Sequence, residues 1–294
     1  MGNLGQACRE MIEKCESFEL VGVFSRRNID GAHPIDEISN FKDDIDVVLV
    51  CVGSHTDAPN IVPKLAENFT TVDSFDTHGE MEKYIDNIRS SRGEKCVNIV
   101  GAGWDPGLFS VMRMYARAFF ASPPQTFWGP GVSLGHTNAI KNVRGVKNAI
   151  QFTEPINYAL VMARKGVELS PRNQHKRICY VVANKSDQKR IRREIETMPH
   201  YFELYQTEVN FVSAVTFDKK FAGRTEHGGH VIAADSANTA EFALRLRSNS
   251  HFTAKIMLTY AAAAVKLCDE GKFGVFTVAD IAPGWLIQNA AEYI

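Results

Sequence analysis

Continuous apolar runs separated by amphipathic segments dominate the first 120 residues. The runs at 45–52 and 96–102 have the length and composition of strands buried on both faces of a parallel sheet. Strands that alternate with helices in this way predict a doubly wound parallel sheet. The predicted strands are 19–24, 45–52, 70–73 and 96–102, and the predicted helices are 5–17, one that ends near Asn68, 79–91 and one that ends at Phe120.

After residue 121 the pattern changes, and Pro123-Pro124 marks the break. Longer strands with one charged helix between them predict an α+β domain. A long helix at 253–270 then returns the chain, and 276–294 is expected to pack back on the first domain. The strands are predicted at 177–183, 208–217, 230–234 and 241–247, and the charged helix at 187–198.

The predicted fold class is therefore α/β, a Rossmann-type doubly wound parallel sheet domain plus an α+β domain. We expect residues 1–120 and 276–294 to form the first domain and residues 121–275 the second.

Composition excludes several classes of protein. The 294 residues are 45% hydrophobic and 23% charged, as in an ordinary globular protein. A net charge of -1 argues against a general nucleic-acid or membrane-surface binder, and no apolar run reaches transmembrane length. The six cysteines are scattered without a C-x-x-C pair, so we interpret them as reduced core residues of a cytoplasmic protein and expect no metal site.

The first residues resemble part of a nucleotide-binding turn. Gly2 and Gly5 have the spacing of the second and third glycines of G-x-G-x-x-G, and the helix N-terminus that follows offers free N–H groups to phosphates. The next predicted strand ends in Ser25-Arg26-Arg27, where an NAD enzyme usually has an acidic residue. Guanidinium groups suit a 2′-phosphate, so the order of these features favours NADP over NAD. A glycine pair alone also occurs by chance.

The strand and the first glycine that precede such a turn are not in this sequence. Without that central strand, two strand edges and their apolar faces are left open. We expect a natural chain that begins further upstream.

Candidate binding residues follow the predicted strands, because ligands of parallel α/β sheets bind beyond the carboxyl ends of strands. Asp76 and Asp105 are expected at the same edge, where two carboxylates would suit a cationic amine. The alternative for Asp105 is that Asp-Pro-Gly is only a tight turn and helix cap. For Asp73 we prefer the helix-capping interpretation.

Other candidates lie in the second half. Arg177 would clamp a carboxylate bidentately, although an arginine at a strand edge is more often a surface charge. Trp128, between glycines and prolines, fits either a ligand cover or a packed corner. The glycines of His227-Gly228-Gly229-His230 indicate a close backbone approach to a ligand, with His227 as a hydrogen-bond donor, and two histidines alone do not define a metal site. The basic run 189–193 is interpreted as a solvated helix face.

Taken together, these segments resemble the meso-diaminopimelate dehydrogenase family. The matching stretches are in family order over nearly the whole chain, and those at 103–110 (GWDPGLFS), 126–131 (TFWGPG) and 227–231 (HGGHV) are specific to the family, whereas the glycine fingerprint is not. The other stretches are 2–5, 21–27, 71–76 with His78, 135–136, 151–153, 175–177, 198–199 and 208–211.

The resemblance implies a reversible, NADP-dependent oxidative deamination of meso-2,6-diaminopimelate (DAP) at its D-centre. The products are L-2-amino-6-oxopimelate and ammonia, and the reaction serves lysine biosynthesis. The family pattern also implies a homodimer formed through the second domain, which binds the substrate. Hydride leaves the D-carbon for the nicotinamide and water adds to the imine, so the protein mostly supplies orientation and electrostatics.

The resemblance also implies roles for individual residues. Asp76 and Asp105 would hold the D-centre ammonium as the catalytic pair, with Trp128 and Gly135 in the substrate pocket. The distal L-centre would be held by Thr153, Arg177, His227 and Asn249. NADP would be contacted by Gly2, Asn3, Leu4, Ser25, Arg26, Arg27, Gly53, Ser54, Thr56, His78, Pro106, Gly107 and Phe109.

Two alternatives stay open, a related D-amino-acid dehydrogenase of altered specificity and a non-enzymatic NADP-binding sensor. Altered specificity would change the distal clamp first, and a sensor would not need both substrate ends. The presence of Asp76, Asp105, Thr153, Arg177 and His227 therefore favours the dehydrogenase.

Overall fold

The computed structural model describes residues 1–54, 56–199 and 201–294, with the side chain of His78 outside the described part. The chain forms two compact units, Met1–Val111 with Ser250–Ile294, and Met112–Asn249. The helices are α1 Asn3–Ile12, α2 Ala58–Ala66, α3 Met81–Ser91, α4 Leu108–Phe119, α5 Leu134–Lys141, α6 Asn157–Ala163, α7 Pro171–Gln174, α8 Gln188–Glu196, α9 Ala214–Phe221, α10 Asn249–Asp269 and α11 Pro283–Leu286. The strands are β1 Phe24–Ser25, β2 His33–Pro34, β3 Val48–Val50, β4 Thr71–Asp73, β5 Val97–Val100, β6 Gln125–Trp128, β7 Gly131–Val132, β8 Val146–Pro155, β9 His175–Ala183, β10 Gln206–Phe211, β11 His227–Ala234, β12 Thr239–Leu246 and β13 Gly274–Thr277. Among the described residues, no helix is long and apolar enough to cross a membrane.

A parallel four-stranded sheet in the order β13-β5-β4-β3 forms the centre of the first unit. Helices α1 and α10 cover one face, where Ala7 and Met257 are buried against the strands. Helices α2 and α3 cover the other face through Val62 and Ile88. Helices on both faces of a parallel sheet are the doubly wound arrangement, so the predicted fold class is confirmed for this half.

The long helix α10 belongs to the first unit, whereas the sequence analysis placed 253–270 in the second domain. Its side chains at Ala254, Met257, Ala261 and Ala264 recur at helical spacing and are fully buried against the parallel sheet. The units therefore divide after Val111 and after Asn249, and not at residues 120 and 276.

A cleft of about 880 Å³ lies in the first unit beside α1. Phe24 lines it on one side and Val48 on the other, and Met1, Gly2 and Gly5 also line it. Among the described residues, β3 pairs only with β4, and β1 pairs only with β2 in a separate two-stranded sheet. One hydrogen-bonding edge of each of these strands is therefore unpaired.

The strand predicted at 19–24 is mostly wrong, because only Phe24–Ser25 is hydrogen-bonded as a strand. The run at 45–52 likewise narrows to Val48–Val50. Both segments line the cleft, and a strand needs a hydrogen-bonded partner to extend.

The second unit contains two sheets. In the mixed sheet β10-β9-β8-β7, β9 runs parallel to β10 and antiparallel to β8, and the sheet β12-β11-β6 is antiparallel. Helices α5 and α8 pack on one face of the mixed sheet around Ile140 and Ile191, and α9 packs on the other through Phe217 and Phe221. The predicted α+β architecture is confirmed for this half.

The strand predicted at 208–217 is too long. Strand β10 ends at Phe211, and the Ser213 hydroxyl accepts a hydrogen bond of 3.1 Å from the backbone N–H of Thr216, which caps α9. The apolar residues Phe217 and Phe221 are therefore four positions apart on a buried helix face.

Candidate active site

The N-terminus of α1 is open to a ligand. Gly2 precedes the helix in an extended conformation and makes no side-chain capping hydrogen bond. In the described part of the chain, no heavy atom lies within 4 Å of the position that a Cβ on Gly2 would take. Free N–H groups and the positive end of the helix dipole are thus available beside Gly2, Asn3 and Leu4, as phosphate binding requires.

The predicted 2′-phosphate residues follow β1. Arg26 forms an ion pair of 2.7 Å with Asp57, and this contact lowers the pKa of the Asp57 carboxyl. The Ser25 hydroxyl accepts a hydrogen bond from the backbone N–H of Arg27, 3.0 Å away. Arg27 is exposed and has no ion pair with any residue that the structure describes. Arg27 is therefore the guanidinium most available to a phosphate.

The loop after β3 is joined to the loop after β4. The Ser54 hydroxyl accepts a hydrogen bond of 3.3 Å from the backbone N–H of Asp76. The Gly53 carbonyl accepts bonds from Asp57 and Ala58 at the start of α2, and the Thr56 carbonyl accepts one from the Asn60 side chain. His55 lies outside the described residues, as does the side chain of His78.

Asp76 is exposed and Asp105 is half-buried, each in a loop that follows a parallel strand of the first unit. Asp73, the last residue of β4, is not a helix cap, so that interpretation is wrong. Its carboxylate accepts hydrogen bonds from the backbone N–H groups of Phe75 and Gly101 and from the Tyr84 hydroxyl. Burial raises the Asp73 pKa to about 6 despite these three donors.

Residues 103–109 form a closed turn after β5. The Gly103 N–H donates to the Pro106 carbonyl over 3.1 Å, and the Gly103 carbonyl accepts from Leu108 over 3.0 Å. Gly107 has φ of +131°, and a Cβ there would collide with the backbone of Gly103, so glycine is required. Phe109 is fully buried with its ring edge-on to Trp104, and its contact with the cofactor stays a prediction.

In the second unit, Arg177 lies directly opposite Thr153 in the β8–β9 pair. It donates a hydrogen bond to the Thr153 hydroxyl, and its guanidinium carbon lies 4.2 Å from the centre of the Tyr205 ring. Arg177 is only 4% exposed, and its Nε has no hydrogen-bond partner among the described residues. No carboxylate of the described chain forms an ion pair with it. Arg177 is therefore a buried cation, and the alternative interpretation as a surface charge at a strand edge is wrong.

His175 fixes the backbone of Trp128. Its Nε2 accepts a hydrogen bond of 2.8 Å from the Trp128 N–H, and the two rings lie 5.5 Å apart. Burial, and next the neighbouring Arg177 charge, lower the His175 pKa to about 3. The ring is therefore neutral at pH 7 and acts as an acceptor toward Trp128.

His136 connects the predicted substrate residues electrostatically. Its pKa falls to about 3, mainly through desolvation and next through the charge of Arg177, with smaller contributions from His227 and His175. Gly135, beside it at the start of α5, is exposed with open space around its Cα. Arg177 and His227 are thus brought to one region of the second unit, which the sequence predicted only through the family resemblance.

Strand packing requires a small residue at Gly228 in the His227–His230 segment. The segment is the start of β11, the central strand of its sheet, and a Cβ on Gly228 would collide with the Leu244 carbonyl of β12. Packing against β12 thus requires glycine at position 228, and the close approach to a ligand stays a prediction. His227 is buried, whereas His230 pairs with Glu241 at 2.7 Å.

Tyr205 and Tyr84 were not predicted from the sequence. Tyr205 immediately precedes β10 and stacks on Arg177, and Tyr84 lies on α3 and donates to Asp73. Each contact joins residues from different segments of the chain, so no local sequence pattern predicts it. Asn249, the first residue of α10, was predicted as a substrate contact and stays a prediction.

Comparison with known proteins identifies the family. Residues 103–248 match the family model of the diaminopimelic acid dehydrogenase C-terminal domain. The chain is 40% identical over 296 residues to the meso-diaminopimelate D-dehydrogenase of Corynebacterium glutamicum, covering 96% of this chain and 92% of that protein. This chain belongs to the meso-diaminopimelate dehydrogenase family.

Solved structures of similar proteins agree. A structure of C. glutamicum DAP dehydrogenase in complex with DAP has a TM-score of 0.94 and 39% identity, covering 99% of this chain and 95% of that one. An engineered D-amino acid dehydrogenase bound to NADP⁺ has a TM-score of 0.87 and 38% identity, with coverage of 99% and 95%. The family resemblance and the fold class predicted from sequence are therefore confirmed.

Proposed function

We infer that this chain catalyses the reversible, NADP-dependent oxidative deamination of meso-DAP at its D-centre. Similar proteins are named meso-diaminopimelate D-dehydrogenase, and a similar solved structure is bound to NADP⁺. The products are L-2-amino-6-oxopimelate and ammonia, and the reaction belongs to lysine biosynthesis. The structural observation that carries this inference is the buried guanidinium of Arg177, which has no carboxylate partner among the described residues. A buried charge needs a counter-charge, and a substrate carboxylate supplies it.

The first unit fits NADP. The uncapped N-terminus of α1 and the open space at Gly2 suit the pyrophosphate, and the exposed Arg27 suits the 2′-phosphate. The bound cofactor supplies the hydride acceptor of the reaction. Asn3, Leu4, Ser25, Arg26 and the loop residues Gly53, Ser54, Thr56, His78, Pro106, Gly107 and Phe109 complete the proposed contact set.

We assign the two ends of the substrate to two groups of residues. The carboxylates of Asp76 and Asp105 hold the D-centre ammonium by charge-assisted hydrogen bonds and orient its C–H bond. The ammonium first gives up a proton to solvent, and the resulting amine loses hydride to the bound NADP⁺, which leaves an iminium. Water adds to that carbon, and ammonia departs as the carbonyl forms. We assign the L-centre to Arg177, Thr153, His227 and Asn249, and the walls of the pocket to Trp128 and Gly135. Because the clamp recognises the L-centre, it fixes which end reacts.

The test of this function is NADP⁺ reduction with meso-DAP as substrate, with ammonia measured in the same samples. We expect one ammonia for each NADPH formed. The open cleft lies beside the predicted cofactor turn, and an added strand could fill it. We therefore run the assay on this chain and on a version with an apolar strand fused ahead of Met1.

Two outcomes would replace the proposal with the alternatives. Turnover of D-alanine without turnover of meso-DAP would indicate a D-amino-acid dehydrogenase of altered specificity. NADPH binding by the folded protein without turnover of any amino acid would indicate a cofactor sensor.

We further propose that the protein works as a homodimer formed through its second unit, in the cytoplasm. The family resemblance supports the dimer, and six free cysteines agree with a reducing compartment. Light scattering coupled to gel filtration should give twice the mass of the chain, and a monomeric mass in the active protein would contradict the dimer.

A further inference from the structure

Asp73 is a buried carboxylate that the proposed reaction does not use. It ends β4, is 2% exposed, and lies between the core residues of the first unit. Its pKa of about 6 means that it is mostly ionised at pH 7, at a cost in folding free energy. What this position offers in return is the set of hydrogen bonds that its side chain accepts.

The hydrogen bonds of Asp73 converge from two loops. Its Oδ1 accepts the backbone N–H of Phe75 at 2.8 Å and the backbone N–H of Gly101 at 3.3 Å. Its backbone carbonyl accepts the N–H of Ala102 at 2.7 Å. Asp73 therefore joins the loop that follows β4 to the loop that follows β5.

Each loop carries one of the carboxylates assigned to the substrate ammonium. Asp76 is the residue after Phe75, and its own N–H is held by Ser54. Asp105 lies in the closed 103–108 turn, which begins two residues after Gly101. Gly101 has φ of +72°, so the chain direction into this turn depends on a conformation that few other residues adopt.

The acceptor itself is held in place from the helix side. The Tyr84 hydroxyl donates to Oδ2 over 2.9 Å, and the Tyr84 ring stacks on Phe75 with centroids 3.9 Å apart. Burial and the Asp73 charge both raise the pKa of the Tyr84 hydroxyl, so it remains a proton donor to the carboxylate. Helix α3, β4 and β5 are thus connected through one side chain.

We propose that Asp73 is a positioning residue for the dehydrogenase reaction, which sets the placement of the Asp76 and Asp105 loops through the N–H groups of Phe75 and Gly101. The proposal rests on the function inferred above. It assigns to Asp73 no contact with the substrate or the cofactor.

The test uses two substitutions of Asp73 and one matched control. Asp73→Ala removes both acceptors, whereas Asp73→Asn keeps one oxygen for the two N–H groups. Asn98→Ala is the control, because Asn98 is also fully buried in the sheet and donates to Thr71 at 2.9 Å but bonds to neither loop. We measure the KM for meso-DAP, the Kd for NADP⁺, and hydrogen exchange at Phe75 and Gly101.

We expect Asp73→Ala to raise the KM at least about tenfold above that of Asn98→Ala, which equals about 1.4 kcal/mol, with the NADP⁺ Kd little changed. Asp73→Asn should stay within about threefold of the parent, because the acceptor geometry is kept. Equal KM values for Asp73→Ala and Asn98→Ala would reduce Asp73 to a structural residue and overturn the proposal.

Hydrogen exchange separates this proposal from the proposed function. If the parent and Asn98→Ala both lack turnover, the proposed function fails and exchange alone decides the role of Asp73. Faster exchange at Phe75 and Gly101 in Asp73→Ala, with the control unchanged, supports the positioning of the two loops. Unchanged exchange at both amides overturns it, whatever the activity.

Discussion

Arg177 is the residue on which substrate recognition depends most. We predict that Arg177→Ala raises the KM for meso-DAP roughly 10- to 150-fold, which corresponds to the ~1.5–3 kcal/mol of a hydrogen bond to a charged group. Arg192→Ala is the matched control, because that guanidinium also lies over a ring, Phe211 at 5.4 Å, but on an exposed helix face. Steady-state kinetics of the two variants check the prediction. A KM for Arg177→Ala equal to that of the control would show that the clamp lies elsewhere.

Asp73 gives a prediction for stability against pH. Its folded pKa of about 6 is above its ordinary value of 3.8, so its contribution to stability is present below pH 3.8 and is lost as the pH rises through 6. Asp73→Asn removes this titration. The free energy of unfolding of the parent should therefore fall relative to that of Asp73→Asn by up to roughly 3 kcal/mol between pH 4 and pH 7.

Urea unfolding of both proteins at the two pH values measures this difference. Because all other groups titrate alike in the two proteins, their contributions cancel. A difference that does not change with pH would mean that Asp73 is not ionised in a buried position.

At the scale of elements, the tip of β1 and the start of α1 define the proposed cofactor site. We predict that Arg26→Ala with Arg27→Ala lowers the preference for NADP over NAD at least about tenfold, through loss of charged hydrogen bonds to the 2′-phosphate. Arg27 should contribute more, because Arg26 is already paired with Asp57. Arg89→Ala, in an exposed ion pair on α3, serves as the control. Unchanged selectivity in the double variant would place the 2′-phosphate elsewhere.

The cleft between β1 and β3 leads to a prediction of its own. A fused apolar strand of about six residues ahead of Met1 should add its backbone to the open edges, as peptides do when they extend a sheet. We expect the melting temperature to rise by at least about 4 °C. The same fusion with Asp at alternate positions is the control, and an equal rise with both would contradict strand insertion.

Elements were predictable where local pattern and tertiary pairing agree. The strand at Val97–Val100 and helix Met81–Ser91 lie inside their predicted ranges because an apolar run or an amphipathic face determines them locally. The strand prediction was wrong for 19–23, because these residues border a cleft and pair with no strand that the structure describes. The prediction that this strand continues to residue 217 was wrong, because Ser213 caps a new helix. The apolar residues on both sides of Ser213 hid this cap in the sequence.

At the scale of the whole molecule, the sequence identified the two-domain fold class and the family but not the division of the chain. Helix α10 follows the second unit in sequence and belongs to the first, since its buried stripe fits the parallel sheet. The candidate site was predicted as motifs, and the contacts that join them were not. Asp73 to Gly101 and Arg177 to Tyr205 are contacts between residues 28 positions apart in sequence, which only the folded chain brings together.

The central claim is that the chain oxidises the D-centre of DAP while it holds the L-centre. The most direct measurement compares NADP⁺ reduction with the meso, L,L and D,D isomers of DAP, on this chain and on the strand-fused version. We predict turnover of the meso isomer and none of the L,L isomer, which has no D-centre to oxidise. We expect at most weak turnover of the D,D isomer, because it lacks the L-centre that Arg177 binds. Turnover of the L,L isomer at a rate comparable to that of the meso isomer would contradict the account.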